Sequence, residues 1–196
     1  MNRKVKVKIC GVCSTEIASA AARLGADYVG IVFAEGSPRR VVEDVAKEIA
    51  ACVARLGNST RTVGVFTSPC VEEIARRAAK IGLDVVQLHR IATWDEVAYL
   101  RSAGFEVWTL AGGATADAVL FDSSHGDGET VLRKGDFLSV LAGGISTENL
   151  VEVMASGADV IDLSGSLECR PGIKTVEKIE EFFMKLKEIE DVENAQ

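Results

Sequence analysis

The first residue of this sequence with chemistry to offer is a thiol at the end of an alternating run. In Lys8-Ile9-Cys10-Gly11, a strand pattern places Val5, Val7 and Ile9 on one face and Lys6, Lys8 and Cys10 on the other, immediately before a glycine turn. Further on, Asp122, the pair Gly143-Gly144 and the stretch Asp162-Leu163-Ser164-Gly165-Ser166 also fall where an apolar run ends and a helix signal begins. A thiol and a carboxylate at strand ends can act as base and acid on one substrate. Glycine N–H groups at a strand-to-helix turn can cradle an anion, and both Gly143-Gly144 and Gly165-Ser166 offer them. Parity puts Lys8 on the face of Cys10, so a cation below the thiol is expected to favour the thiolate.

The elements that must position these groups are read from hydrophobic period. Short apolar runs at 5–10, 28–33, 62–66, 85–88, 106–110, 118–122, 139–142 and 160–163 alternate with helix-like stretches, the pattern of repeated βα units around a parallel sheet. Ser68-Pro69 is an N-cap and first-turn signal ahead of Val71, Ile74, Ala78 and Ile81. Thr93 and Glu96 have capping-box spacing ahead of Val97 and Leu100. The final stripe of Val176, Ile179, Phe182, Phe183, Leu186 and Ile189 should pack on the sheet, with 190–196 fraying beyond it.

Eight such units in one domain, 1–196, predict an α/β fold, a compact (β/α)8 TIM barrel; an open α/β sheet with fewer strands is the alternative. TIM barrels typically take roughly 250 residues, and the saving falls after strands five and six. Residues 111–117 leave no room for a full helix and 126–137 hold at most a short one, so that side is thinly covered and self-association as a homodimer would shield it. In a barrel, strand eight neighbours strand one and strand six lies across the mouth, which sets Asp162 beside Cys10 and Asp122 opposite. The loops after strands seven and eight are where such barrels often hold a phosphate. Leu110-Ala111-Gly112-Gly113 repeats the letters of 141–144 without a helix to follow, so the tetrapeptide alone reads as a tight turn.

Composition narrows the classes. With 47% hydrophobic and 26% charged residues and a net charge of −7, the chain is an ordinary globular one, with neither a basic block for nucleic acid nor an apolar run near the roughly 18 residues of a membrane span. No leader pattern opens it, and it reads as cytoplasmic. Five cysteines, an odd number, argue against a disulfide framework. Cys10 and Cys13 have redox or metal-ligand spacing, but Cys52, Cys70, Cys169, His89 and His125 supply no second close pair, so no metal is expected.

The ordered motifs Lys8-Ile9-Cys10-Gly11, Gly30 to Phe33 with Ser37-Pro38-Arg39, Val63 to Phe66, Val86 to His89, Leu120-Phe121-Asp122, Leu141 to Ile145 with Glu148-Asn149, and Asp162 with Glu168, Pro171-Gly172 and Lys174 resemble phosphoribosylanthranilate isomerase through nearly the whole chain. The resemblance implies a cofactor-free enzyme of tryptophan biosynthesis. It further implies Asp122 as general acid, Cys10 as base, Arg39 beside the anthranilate carboxylate of a phosphosugar-anthranilate substrate, and phosphate on Gly143, Gly144, Gly165 and Ser166. Asp162, Lys8 and His89 complete the expected substrate-binding set. The sequence departs from the family pattern at Ser164-Gly165-Ser166, where two serines usually precede glycine, at Arg90, where glycine usually stands, and at Cys13. The other readings are a sibling phosphosugar enzyme of the tryptophan or histidine pathway, and a non-catalytic phosphate-binding or redox module in which Cys10 and Cys13 pair.

Overall fold

The computed structural model describes residues 5–123 and 135–194. Eight strands pair in parallel in chain order and the eighth pairs with the first, closing a barrel. They are β1 Lys6–Cys10, β2 Tyr28–Val32, β3 Arg61–Phe66, β4 Val85–Leu88, β5 Glu106–Leu110, β6 Ala118–Asp122, β7 Leu138–Ala142 and β8 Val160–Leu163. Each lies within one residue of its expected bounds, because strands covered on both faces are near-continuous apolar runs.

Parity divides the apolar residues into two cores. Val32, Val65, Trp108, Leu120 and Val140 fill the barrel, whereas Val7, Ile9, Val29, Ile31 and Leu88 face the helices. Lys8 and Cys10 therefore point inward.

The surrounding helices are α1 Thr15–Leu24, α2 Glu43–Arg55, α3 Val71–Ile81, α4 Trp94–Ser102, α5 Leu150–Ala155 and α6 Val176–Asn194. Thr93 and Glu96 form the expected capping box at α4. At α3 the expectation needs correction: the N-cap position is Cys70, and the Ser68 hydroxyl accepts from the Cys70 N–H instead, two residues too early to cap the helix. The last helix continues to Asn194, past the point where fraying is expected, while Ile179, Phe182 and Leu186 are buried as the stripe requires.

No helix stands between β5 and β6, where 111–117 is turn. The expected short helix after β6 falls mostly on 124–134, outside the described residues. The helix after β7 is also short, only six residues; it starts at Leu150 rather than directly after Gly144, because the Asn149 side chain folds the intervening loop by accepting from Ser146 N and donating to Gly144 O. After β8 comes one 3₁₀ turn, Gly165–Leu167, and a small hairpin, β9 Glu168–Arg170 and β10 Ile173–Lys174, absent from the sequence reading.

The base of the barrel repeats one device four times. Asp27, Asp84, Asp117 and Asp159 each immediately precede an even-numbered strand, and each accepts a backbone N–H from the odd-numbered strand before it: Val7, Thr62, Val107 and Ser139, at 2.7–2.9 Å. Each bond to a charged acceptor stabilises the barrel by about 1.5–3 kcal/mol, and fixes strand register at the end away from the mouth.

Candidate active site

At the strand C-termini a cavity of about 530 Å³ opens, within the range of small-molecule sites. Cys10, Arg39, His89, Asp122 and Asp162 line it, together with Gly143, Gly144, Gly165 and Ser166. Of the expected site residues only Lys8 stands outside this lining, buried beneath the cavity.

Lys8 is the centre of a polar floor. Its Nζ donates to Asp162 Oδ2 at 2.6 Å and to Gln87 Oε1 at 2.9 Å, and it lies 5.8 Å from the centroid of the Trp108 ring. Parallel register makes the first contact inevitable, since Lys8 and Asp162 are partners across β1 and β8 and share the inward face. An ammonium only donates, so Gln87 turns its oxygen towards Lys8 and its amide NH2 towards His89 Nδ1, 3.3 Å away.

Room for this arrangement comes from the next strand. A Cβ at Gly30 would stand 2.9 Å from Cys10 Sγ and 3.2 Å from Lys8 Cε, so glycine is the one residue that admits both side chains. Burial, the largest influence, would lower the Lys8 pKa, yet Asp162 and then Cys10 lift it above the ordinary lysine value. Cys10 corrects the expectation of a ready thiolate. Burial pushes the thiol pKa up, Lys8 pulls it down, Asp162 pushes it up again, and the balance lies above the ordinary value. Lys8 is already paired with a carboxylate and offsets desolvation only in part.

Asp122 closes β6 opposite Cys10, level with Ala142 of β7. Ser123 donates from Oγ to the Ala142 and Gly143 carbonyls at 3.2 and 2.9 Å, tying the acid's strand to the glycine loop. Gly143 and Gly144 have φ of 89° and 65°, left-handed values that favour glycine. In the β8 loop, Ser164 donates to the Cys10 carbonyl at 3.1 Å, leaving Gly165 and Ser166 towards the cavity. Two buried side-chain atoms of residues lining this cavity, Asp162 Oδ1 and Ser166 Oγ, have no hydrogen-bond partner; the first is suited to accept from a ligand hydroxyl and the second to donate to an anionic oxygen.

The departures resolve individually. Arg90 forks onto Glu96 at 2.6 and 3.0 Å and donates to Ser68 O, stapling the loop ahead of α3 to α4 without lining the cavity; with these bonds Glu96 has its pKa lowered to about 2. Cys13 directs Sγ at the Gly11 and Arg39 carbonyls, burial pushes its pKa up, and both it and Cys10 are free thiols. Among the described residues no cluster of His, Cys, Asp or Glu is arranged to hold a metal ion, and no helix is long and apolar enough to cross a membrane.

Gln87, Gly30 and Glu168 also shape the site, beyond the residues expected from the sequence. A glutamine at an inward position of an otherwise apolar strand was a visible signal; the pairing of Glu168 with Arg39, 129 residues apart, had none. Glu168 accepts both Nε and Nη2 of Arg39, and although burial would raise its pKa, Arg39 and Lys174 hold it below the usual carboxylate range.

The family described as N-(5'phosphoribosyl)anthranilate (PRA) isomerase matches residues 7–185. A relative from Rhodospirillum centenum bearing the name N-(5'-phosphoribosyl)anthranilate isomerase is 36% identical over 200 residues, covering 87% of this chain and 92% of that one. The crystal structure of phosphoribosyl anthranilate isomerase from Thermus thermophilus superposes with a TM-score of 0.80 at 30% identity, over 94% of this chain and all of that one. A phosphoribosyl anthranilate isomerase solved in complex with reduced 1-(o-carboxyphenylamino)-1-deoxyribulose 5-phosphate gives a TM-score of 0.77 at 25% identity, over 94% of this chain and 99% of the other.

Proposed function

Because the chain belongs to the N-(5'-phosphoribosyl)anthranilate isomerase family of tryptophan biosynthesis, we propose that it isomerises N-(5'-phosphoribosyl)anthranilate to 1-(2-carboxyphenylamino)-1-deoxyribulose 5-phosphate with Asp122 as acid and Cys10 as base. The observation that carries the assignment is that these two groups, from β6 and β1, line one cavity from opposite sides.

Asp122 gives its proton to the ribose ring oxygen as the anomeric C–O bond breaks and the nitrogen lone pair forms the imine. Cys10 as thiolate then removes the proton from the adjacent sugar carbon, and that electron pair flows through the imine to give an enolamine. Proton transfer back to the anomeric carbon and loss of the enol proton complete the ketone. No electron acceptor is required, and each step is a proton transfer over hydrogen-bond distance.

Arg39 meets the anthranilate carboxylate, for which a guanidinium is suited. The glycine loops after β7 and β8 take the phosphate, and Ser166 Oγ adds a hydroxyl to that cradle. Asp162 Oδ1 accepts from a ribose hydroxyl, with His89 beside it. Lys8 acts from below, through Cys10 and Asp162. The enzyme works in the cytoplasm and pairs as a homodimer through its thinly covered side, where Ile91 and Trp94 are exposed; sedimentation of a Trp94→Glu variant as monomer beside a dimeric wild type checks the pairing, and a monomeric wild type refutes it.

The test is loss of substrate fluorescence when purified protein meets freshly generated phosphoribosylanthranilate, with the product identified by mass and absorbance. A folded protein that leaves the substrate unchanged contradicts the proposal.

A further inference from the structure

Arg39 leaves the loop after β2, yet the groups that fix its guanidinium lie on the chain after β8. Its stem crosses Gly11, where a Cβ would stand 2.5 Å from Arg39 Cδ. Nε and Nη2 donate to the two oxygens of Glu168 at 2.6 and 2.9 Å, a fork-to-fork geometry that fixes direction as well as charge. Glu168 is itself held, because the buried Lys174 Nζ donates to its Oε1 at 3.0 Å and Lys178 Nζ to its backbone oxygen at 2.8 Å. The hairpin also presses on the arginine's own loop. A Cβ at Gly172, whose φ is 84°, would lie 2.3 Å from the Pro38 carbonyl oxygen. With Nε and one N–H of Nη2 committed to Glu168, Nη1 and the second N–H of Nη2 are the donors left for a ligand in the cavity that Arg39 lines.

We infer that Glu168, carried on the β9–β10 hairpin, is a positioning residue that makes the enzyme selective for a carboxylate on the substrate's aromatic ring by holding Arg39 on aim. The inference rests on the reading of Arg39 given above. Charge counting predicts the opposite sign: a carboxylate beside the arginine weakens its field, so a neutral glutamine should tighten the binding of an anion. Aim predicts a loss. Glutamine has one acceptor oxygen and cannot take both arms of the fork, and a released arginine side chain gains rotamers that binding must then remove.

The experiment compares two product analogues, reduced 1-(2-carboxyphenylamino)-1-deoxyribulose 5-phosphate and its counterpart with an unsubstituted phenyl ring, by calorimetry on wild type, Glu168→Gln, Gly172→Ala and Arg39→Ala. Glu168→Gln should weaken the carboxylated analogue about tenfold or more, the scale of a mispositioned contact, and raise KM in step. It should leave kcat and the affinity for the phenyl analogue nearly unchanged. Gly172→Ala, which cannot seat against Pro38, should show the same selective loss to a smaller degree with the Glu168 charge intact, and carries the test if Glu168→Gln does not fold. Equal or tighter binding of the carboxylated analogue by Glu168→Gln, or equal loss for both analogues, overturns the inference. If Arg39→Ala also treats the two analogues alike, the reading of Arg39 fails; if Arg39→Ala discriminates and Glu168→Gln does not, the role of Glu168 alone fails.

Discussion

The β8–β1–β2 sector and the β5–β6–β7 sector use strands of similar length and the same parity, yet they are held in different ways. The first has α1, α2 and the 19-residue α6 among its surrounding helices, the hairpin above, and two internal charge systems, Lys8 with Asp162 and Glu168 with Arg39 and Lys174. The second has a turn in place of one helix and the six-residue α5 after β7, and it fixes its loops with short polar bonds from Ser123 and Asn149. The difference teaches where electrostatic control is needed. A buried thiol proposed as base must be brought to ionise, which takes charges in a dry interior, whereas the share of the phosphate proposed for the β7 loop needs only backbone on a turn that glycine permits.

Removing either proton carrier gives the largest effect. Cys10→Ser and Asp122→Asn should each lower kcat by about 10²–10⁴ while circular dichroism and melting stay near wild type. Retained turnover in either would break the assignment of base and acid to the two sectors. Gly30→Ala comes next, because its methyl group meets Cys10 Sγ at 2.9 Å. Displacing the thiol should reduce kcat by about 10–100-fold, and an unaffected variant would show that the base is not fixed by its neighbours.

The Lys8→Met variant sharpens the electrostatic half of the comparison. As the proposed base Cys10 would work deprotonated, so activity should rise with pH as the thiol ionises; burial pushes that ionisation up and Lys8 opposes it. Loss of the cation should therefore carry the rising limb of kcat/KM to higher pH, lowering activity near neutrality and leaving much of it recoverable in alkali. A limb that stays in place would mean Lys8 does no more than fill the barrel. The smallest effect on catalysis lies at the base. Asp84→Ala removes the bonds at 2.7 and 2.8 Å to Thr62 N and Oγ1. It should lower unfolding free energy by about 1–3 kcal/mol with kcat unchanged, as measured by denaturant titration beside turnover.

Most of the eight strands were legible because burial on both faces leaves a near-continuous apolar run, β1 by its alternation of Val5, Val7 and Ile9 with lysines, and the mouth followed from their number. Cys10, Asp122 and the glycine loops stood at strand ends, the place sequence marks best. What was not legible depends on contacts between distant segments. Glu168 reaches Arg39 across 129 residues, and Arg90 finds Glu96 through a capping box whose carboxylate serves both partners. The thiol's raised pKa needed the depth of burial and the pairing of Lys8 with Asp162, neither of which has a sequence period. The repeated aspartates at 27, 84, 117 and 159 were visible as letters, but their meaning required the neighbouring strand.

The central claim is the division of labour across the mouth, acid on β6 and base on β1. It is tested most directly by turnover of substrate deuterated at the sugar carbon next to the anomeric centre, in Cys10→Ser and Asp122→Asn side by side. With base and acid so placed, Cys10→Ser leaves breakage of that C–H bond limiting and shows a large primary isotope effect, while Asp122→Asn is limited by ring opening and shows almost none. The reverse pattern, or the same isotope effect in both variants, would contradict the assignment.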